Sequence, residues 1–332
     1  MKVLHGPVEI ASQMGNLCAA LRRRGVKASA YNTFHTYLGY RDNVYNTDPY
    51  ELEWLFPSAL KHFDLFHFHY AATLLPDYAD LPILRAAGKP MVMHHWGNDV
   101  RFHDLAREKT PYVYTGDSPP NEEIRRRLAI LSRHISFAIV QDYEVYPYVA
   151  PFYEKVFILP LALDVRAVKP RYPDAQRKVP LLIHAPTNPR FKGTEHIEAA
   201  IGRLHGEGVR FRYFRIEKTD NREAIRLYRM ADVIIDQILC GSYGMLAVES
   251  MSLGKPVVGF VREDLLPLFP EEPPIVNTNP DTIGDVLREL IAEPRLRREK
   301  GLEGRRYVEK HHDLEPVSAQ LLAIYKEMTG KG

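Results

Sequence analysis

Cysteine is nearly absent from this chain: of 332 residues, only Cys18 and Cys240 are cysteine. Two cysteines make no disulfide framework and suit a reducing cytoplasm, which is the expected location. Net charge is almost absent too. The 44 basic and 42 acidic side chains leave +2 at pH 7, so no global field draws the chain to nucleic acid. No run approaches the roughly 20 apolar residues of a membrane span. The opening "MKVLHGPVEI" lacks the longer apolar core of a signal peptide and reads as a first strand. Tandem repeats and low-complexity tracts are missing as well. What remains, 45% hydrophobic and 26% charged, is the composition of a soluble globular protein with length for two domains. The clusters "LRRRG" (21–25) and "IRRRL" (124–128) can touch anionic lipid at the inner face of a membrane. The plainer reading of each is the solvated face of an amphipathic helix.

Short β-rich runs alternate with helical patterns in two series. The first holds 2–5, 27–31, 65–69, 90–95, 137–141 and 156–160; the second holds 180–185, 210–216, 232–237, 256–261 and 273–278. Continuous apolar strands separated by helices of about ten residues or more indicate parallel sheets covered on both faces. Two series predict two Rossmann-like domains, joined by the proline- and charge-rich stretch 159–180. Leu314, Val317, Leu321, Leu322 and Tyr325 fall at helical spacing near the end and predict a final packing helix.

Ligands of open parallel sheets bind beyond the carboxyl ends of the strands. That edge is crowded with histidine: His5, His67, His69, His94 and His95 end three strands of the first series, and His184 ends one in the second. His67 and His69 are two apart and share a face. A packed, hydrogen-bonded histidine and a substrate contact both fit each of them. His-x-His on a strand can also chelate zinc. With no nearby cysteine and no His-Glu-x-x-His helix, no metal is expected. In "HWGNDVR" (95–101), Gly97 and Asn98 make a turn flanked by Trp96, Asp99 and Arg101. Trp96 offers either an aromatic face for a sugar or a plain core residue.

In the second series "IHAPTNPRFKGTEHIEAAI" (183–201) places Arg190 and Lys192 two residues apart where a strand yields to a helix. A helix amino terminus favours anions through its N–H groups and dipole. Two added cations would neutralise most of a diphosphate, and Gly193 lets the backbone approach closely. The spacing is not that of a Walker loop, and no GxGxxG follows a first strand, which argues against a dinucleotide-linked oxidoreductase. "DQILCGSYGMLAVESMSLGKPVVGF" (236–260) is strand, glycine loop, helix, strand. Its Ser242, Tyr243 and Gly244 can present N–H groups to a phosphate. Glu249 lies about 7.5 Å further along the helix axis, where its carboxylate can accept from ribose hydroxyls. The apolar neighbours of Glu249, Leu246, Ala247, Val248 and Met251, argue against a solvated face.

These residues resemble the GT-B glycosyltransferases, specifically the retaining family 4 type, over nearly the whole chain. "FDLFHFHY" (63–70) looks like the family's Asp-ψ-ψ-His-x-His strand, and "HHWGNDVR" (94–101) like its His-Gly-Ser-Asp-ψ-Arg turn. "ILPLALDVRAVKP" (158–170) is similar to the interdomain segment, and "LYRMADVIID" (227–236) to the strand leading to the donor loop. "GSYGMLAVESMSLGKPVV" (241–258) resembles the most specific signature, Glu-x7-Glu-Ala-ψ-Ala-x-Gly-x-Pro-Val.

The resemblance implies an α/β fold of the GT-B type: two Rossmann-like parallel-sheet domains facing across a cleft, with a C-terminal helix packing at the end. It implies an acceptor-side domain at 1–163, a nucleotide-sugar-binding domain at 164–310, and a helix at 311–332 on a path that can cross back to the first domain. By the same resemblance, Arg190 and Lys192 hold the donor diphosphate and Glu249 the ribose. Gly193 and Ser242 to Gly244 cradle phosphate and sugar. His95, or its neighbour His94, lies beside the transferred sugar, with Trp96, Asp99 and His69 on the acceptor or sugar side. The loop 6–16 then faces donor or acceptor. The implied reaction moves a sugar from a nucleoside diphosphate sugar, UDP- or GDP-linked, to an acceptor hydroxyl of a glycan, lipid or small molecule. Configuration is retained, and neither cofactor nor metal takes part. A sugar-nucleotide 2-epimerase and a non-catalytic partner protein of the same fold are the alternatives. One departure stands out: position 241, where the family's first glutamate contacts the donor sugar, holds Gly241.

Overall fold

The computed structural model describes residues 1–330, so the last two residues of the expected 311–332 segment lie outside it. All eleven expected strands form: β1 (Lys2–Gly6), β2 (Lys27–Asn32), β4 (Leu65–His69), β5 (Met91–His95), β6 (Phe137–Val140), β7 (Lys155–Ile158), β8 (Leu181–His184), β9 (Arg212–Arg215), β10 (Val233–Ile235), β11 (Val257–Gly259) and β12 (Ile275–Asn277). The sequence reading missed a two-residue strand, β3 (Tyr45–Asn46), because its residues are exposed and make no apolar run.

The strands form two wholly parallel sheets, one of seven strands in the order β3-β2-β1-β4-β5-β6-β7 and one of five in the order β12-β11-β10-β8-β9. Each order reverses once, between β1 and β4 in the first sheet and between β8 and β10 in the second. Those reversal points open crevices at the carboxyl ends of the strands.

The chain divides into two compact units. The first holds Met1–Leu105, Ser118–Leu163 and the chain from Leu314 on; the second holds Ala106–Asp117 and Asp164–Asp313. The expected boundary near 163 therefore needs one amendment, because 106–117 clusters with the second unit. Tyr112 and Tyr114 of that segment pack against the second unit's core.

In the first unit the helices Gln13–Arg23 and Leu314–Thr329 share one apolar core with β1, β4 and β5 through Leu17, Leu21, Val317, Leu321 and Ile324. The arginine clusters lie on or at the end of helices, and several of their members have partners. Arg24 reaches Ser318 and Glu315, and Arg126 and Arg127 both meet Glu123. These partners lie within the protein, as on a solvated face. Among the described residues no helix is long and apolar enough to cross a membrane.

Candidate functional site

The second unit's site grows from the crossover at β8 and β10. After β8, Asn188 caps a single helical turn, Pro189–Lys192, by accepting the N–H groups of Arg190 (2.9 Å) and Phe191 (3.3 Å). The sequence reading placed Arg190 and Lys192 two residues apart at the strand-to-helix junction as a pair for one diphosphate. On a helix two residues are separated by about 200° around the axis, so they diverge. Arg190 is exposed and makes no ion pair among the described residues, whereas Lys192 is buried to 8% exposure. Gly193, at φ 77°, then reverses the chain into the helix Thr194–Gly206; a Cβ there would stand 2.6 Å from Ile238.

Lys192 Nζ donates to Asp236 Oδ1 at 2.7 Å and to Gln237 Oε1 at 2.8 Å. Both partners follow directly on β10. The other oxygen of Asp236 accepts the Gly244 N–H at 3.3 Å, at the start of the helix Met245–Ser252. Gln237 also donates its amide to the Ser242 carbonyl. An ammonium and a helix-start N–H therefore converge on one buried carboxylate, the arrangement that serves a phosphate oxygen equally well. A lysine has three N–H donors, and two are used here.

Glu249 sits one turn further along the same helix and is 8% exposed. It accepts from Asn221 Nδ2 at 2.9 Å, and burial raises its pKa to about 7 despite that bond. His184, which ends β8, donates from Nδ1 to the Ile235 carbonyl (2.9 Å), and its Nε2 stands 2.8 Å from the Thr194 hydroxyl. Burial lowers its pKa to about 4, so it is a neutral pin between two strands and a helix. The Tyr243 ring stacks on Phe269, and its hydroxyl meets Tyr307 (3.1 Å) and His312 (3.0 Å). The side chain of Tyr243 is thus anchored in the protein, leaving only its backbone for a ligand.

The departure at position 241 has a steric counterpart. Gly241 has φ 90°, and a Cβ there would lie 2.5 Å from Arg262 Cγ. Arg262 is itself fixed by paired bonds to Asp264 at 2.8 and 2.9 Å. The arginine fills the space that a side chain at 241 would enter.

The first unit's histidines separate by strand face. His95 points one way and is wholly buried: its Nδ1 meets Asp99 at 2.7 Å and its Nε2 meets the Tyr153 hydroxyl at 2.9 Å. Asp99 also accepts the Trp96 N–H at 2.9 Å. With both ring nitrogens taken, His95 braces the turn rather than offering an edge to a sugar, and Asp99 is its brace. His5, His67, His69 and His94 lie on the opposite face. His5 pairs with His67 in register, and His69 with His94. Trp96 stacks on His94 at 3.9 Å, so a neighbouring ring covers one of its faces.

Sequence reasoning missed Asp236, Gln237 and Glu9. The first two were legible as polar residues ending an apolar strand just ahead of a glycine loop. Glu9 had no such marker. Its carboxylate folds over the start of the helix Gln13–Arg23 and accepts from Met14 (3.1 Å) and Gly15 (2.9 Å), while burial lifts its pKa to about 8. The loop 6–16, expected to face donor or acceptor, caps its own helix with this side chain.

No protein-family model matches the chain, and no curated protein sequence matches it either. Solved structures do. A sucrose-phosphate synthase from Thermosynechococcus elongatus aligns over 100% of both chains with a TM-score of 0.69 at 14% identity. Anabaena HepE in complex with UDP-glucose aligns over 98% of this chain and 100% of its own, with a TM-score of 0.63 at 13% identity. A UDP-N-acetylglucosamine 2-epimerase, described as putative, from Listeria monocytogenes aligns over 100% of this chain and 97% of its own, with a TM-score of 0.60 at 12% identity. At these identities the likeness establishes the fold alone. It is the two-sheet α/β fold of GT-B glycosyltransferases.

Proposed function

We propose that this protein is a glycosyltransferase that moves a sugar from a UDP-sugar to an acceptor hydroxyl, with retention and without a metal. The observation that carries the proposal is the convergence of Lys192 Nζ and the Gly244 N–H on one buried carboxylate at the β8/β10 crossover, with Glu249 one turn away. That spacing suits a diphosphate at the helix start and a ribose beside it. The third N–H of Lys192 and the 242–244 backbone meet the diphosphate. Arg190, exposed and turned away from Lys192 on the same turn, leaves Lys192 as the cation that carries the proposal. Glu249 accepts from the ribose hydroxyls through the oxygen that Asn221 leaves open. Negative charge grows on the diphosphate as the glycosidic bond breaks, and these preorganised donors stabilise it. By resemblance to family 4, a departing phosphate oxygen takes the acceptor's proton, so no carboxylate base is needed. His95 has no part in the step, since both of its nitrogens are bonded internally.

HepE, of the same fold, is seen with UDP-glucose, which favours uridine over guanosine as the nucleotide. The Listeria neighbour favours a second reading, epimerisation of the donor at C2. Incubation with UDP-glucose, UDP-N-acetylglucosamine and a mixed set of acceptors, followed by NMR, separates the readings. Free UDP with a glycosylated acceptor is the expected result. A donor epimerised without acceptor establishes the second reading, and an unchanged donor from a protein that binds UDP makes it a non-catalytic partner.

A further inference from the structure

Independently of the proposed reaction, the first unit holds a cavity that none of its steps uses. It lies at the reversal point of the seven-stranded sheet, where an open parallel sheet takes a ligand. Val8, just past β1, and Tyr70 to Thr73, just past β4, line it. Its volume is about 450 Å³, within the range of about 300–1,000 Å³ typical of small-molecule sites. One wall is a face of the helix Asn121–His134, formed by Glu123, Arg126, Arg127 and Ile130 at helical spacing. The other is the loop after β4, with Tyr70, Ala71, Asp77 and Tyr78. We propose that this cavity is a binding site for a neutral mono- or disaccharide.

The loop wall is fixed before any ligand arrives. The buried Asp80 accepts the Thr73 hydroxyl at 2.6 Å and the Leu74 N–H at 2.8 Å, and the Tyr78 hydroxyl donates to the Ala71 carbonyl at 3.1 Å. Of the eight non-glycine residues with positive φ among the described residues, four sit on this wall: Tyr70 (62°), Ala71 (51°), Asp77 (54°) and Tyr78 (61°). A residue with a Cβ is disfavoured in that region. Such strain gathers where the surrounding structure holds a loop for a ligand.

The lining selects the class of ligand. Glu123 accepts from Arg126 Nε and Nη2, each at 2.8 Å, and from Arg127 Nε at 2.6 Å. A guanidinium carries five N–H donors, so three on Arg126 and four on Arg127 have no bond among the described residues. With Asp77, two cations face two carboxylates, and the formal charge of the lining is zero. A phosphate or an anionic lipid headgroup would meet Asp77 and Glu123 as well as the arginines. An apolar ligand would strip water from four charges and return nothing. A sugar suits the balance, because each hydroxyl both donates and accepts. It takes guanidinium N–H groups and gives to carboxylate oxygens at once. The rings of Tyr70 and Tyr78 add apolar faces with polar tips, a match for the C–H face and hydroxyl edge of a sugar ring.

The test adds glucose, maltose, cellobiose and glucose 6-phosphate separately to the full chain, without donor, and reads saturation-transfer NMR and calorimetry. Binding here needs no nucleotide, so the transferase assay succeeds or fails separately. At least one neutral sugar should bind more tightly than glucose 6-phosphate. Its affinity should hold between about 50 and 500 mM salt, since a neutral ligand has no charge to screen. Arg127→Ala should weaken that sugar by about ten- to a hundredfold, as loss of charge-assisted bonds does. Asp77→Asn keeps a residue that tolerates positive φ and should narrow the gap to glucose 6-phosphate by about five- to tenfold. Arg133→Ala, on the same helix but outside the cavity, should change nothing. Circular dichroism checks that the variants fold. Should one fail to fold, methyl NMR of the wild type replaces it: Ala71, Ala72 and Ile130 must shift on sugar addition. No neutral sugar bound, a preference for glucose 6-phosphate, binding unchanged in Arg127→Ala, an equal loss in Arg133→Ala, or methyl shifts confined to other residues overturns the proposal.

Discussion

Lys192 carries two burdens, and a double-mutant cycle with Asp236 separates them. In the folded protein Asp236 is 1% exposed, and its charge is answered by Lys192 Nζ at 2.7 Å and the Gly244 N–H at 3.3 Å. Lys192→Met keeps most of the side-chain volume but strands that carboxylate. Breaking a buried pair from one side costs about 3–5 kcal/mol. Asp236→Asn in the same chain removes the stranded charge while keeping an acceptor for Gly244, so the double variant should lie within about 1–2 kcal/mol of wild type. UDP binding should not recover. The ammonium–phosphate bond, about 1.5–3 kcal/mol, is absent from both variants, which is a loss of roughly ten- to a hundredfold in affinity. Urea denaturation followed by tryptophan fluorescence gives the first quantity and calorimetric titration with UDP the second. A double variant that regains wild-type UDP affinity would refute the role of Lys192 at the diphosphate. A single variant as stable as wild type would refute the buried pair.

Three further outcomes follow from named groups. Glu249 has a pKa raised to about 7 by burial, and only its ionised form accepts from two ribose hydroxyls. UDP affinity should therefore fall as pH drops through 7, by about tenfold per unit at the limit, and Glu249→Gln should bind weakly with a flat profile between pH 5 and 8. The sign for folding is opposite: a raised carboxyl pKa gives stability that is full below the unfolded value near 4.5 and is lost as pH rises through about 7. Glu9, raised to about 8, extends that loss, so Glu9→Gln should flatten the decline of stability between pH 5 and 8 in denaturation series. Gly241→Glu should destabilise by about 1–3 kcal/mol and give no gain in turnover, because its Cβ meets Arg262 at 2.5 Å and its φ is 90°.

The sheets were legible because parallel strands buried on both faces must be written as continuous apolar runs, and eleven such runs became strands. The exposed pair Tyr45–Asn46 carries no such mark. At the candidate site, the spacing after the glycine loop gave Glu249 and Gly244 their places. The Asn188 cap winds 189–192 into a helical turn and sets Arg190 outward from Lys192, which the spacing of the two cations alone does not show. The role of His95 was hidden for a different reason. Its partner Tyr153 lies 58 positions away, and a contact of that separation leaves no local pattern. The segment 106–117 joined the second unit for the same reason, through tyrosines whose partners are far along the chain.

The pocket keeps an anion of its own. Asp236 already takes two of the donors that a nucleotide's phosphates would seek, so on the proposed reading a phosphate would share them with a resident carboxylate rather than fill a vacant charge. Such sharing would forgo some affinity but would leave neither donor unpaired once a nucleotide departs. For the proposed transferase, that would favour rapid clearance of product over tight retention of it.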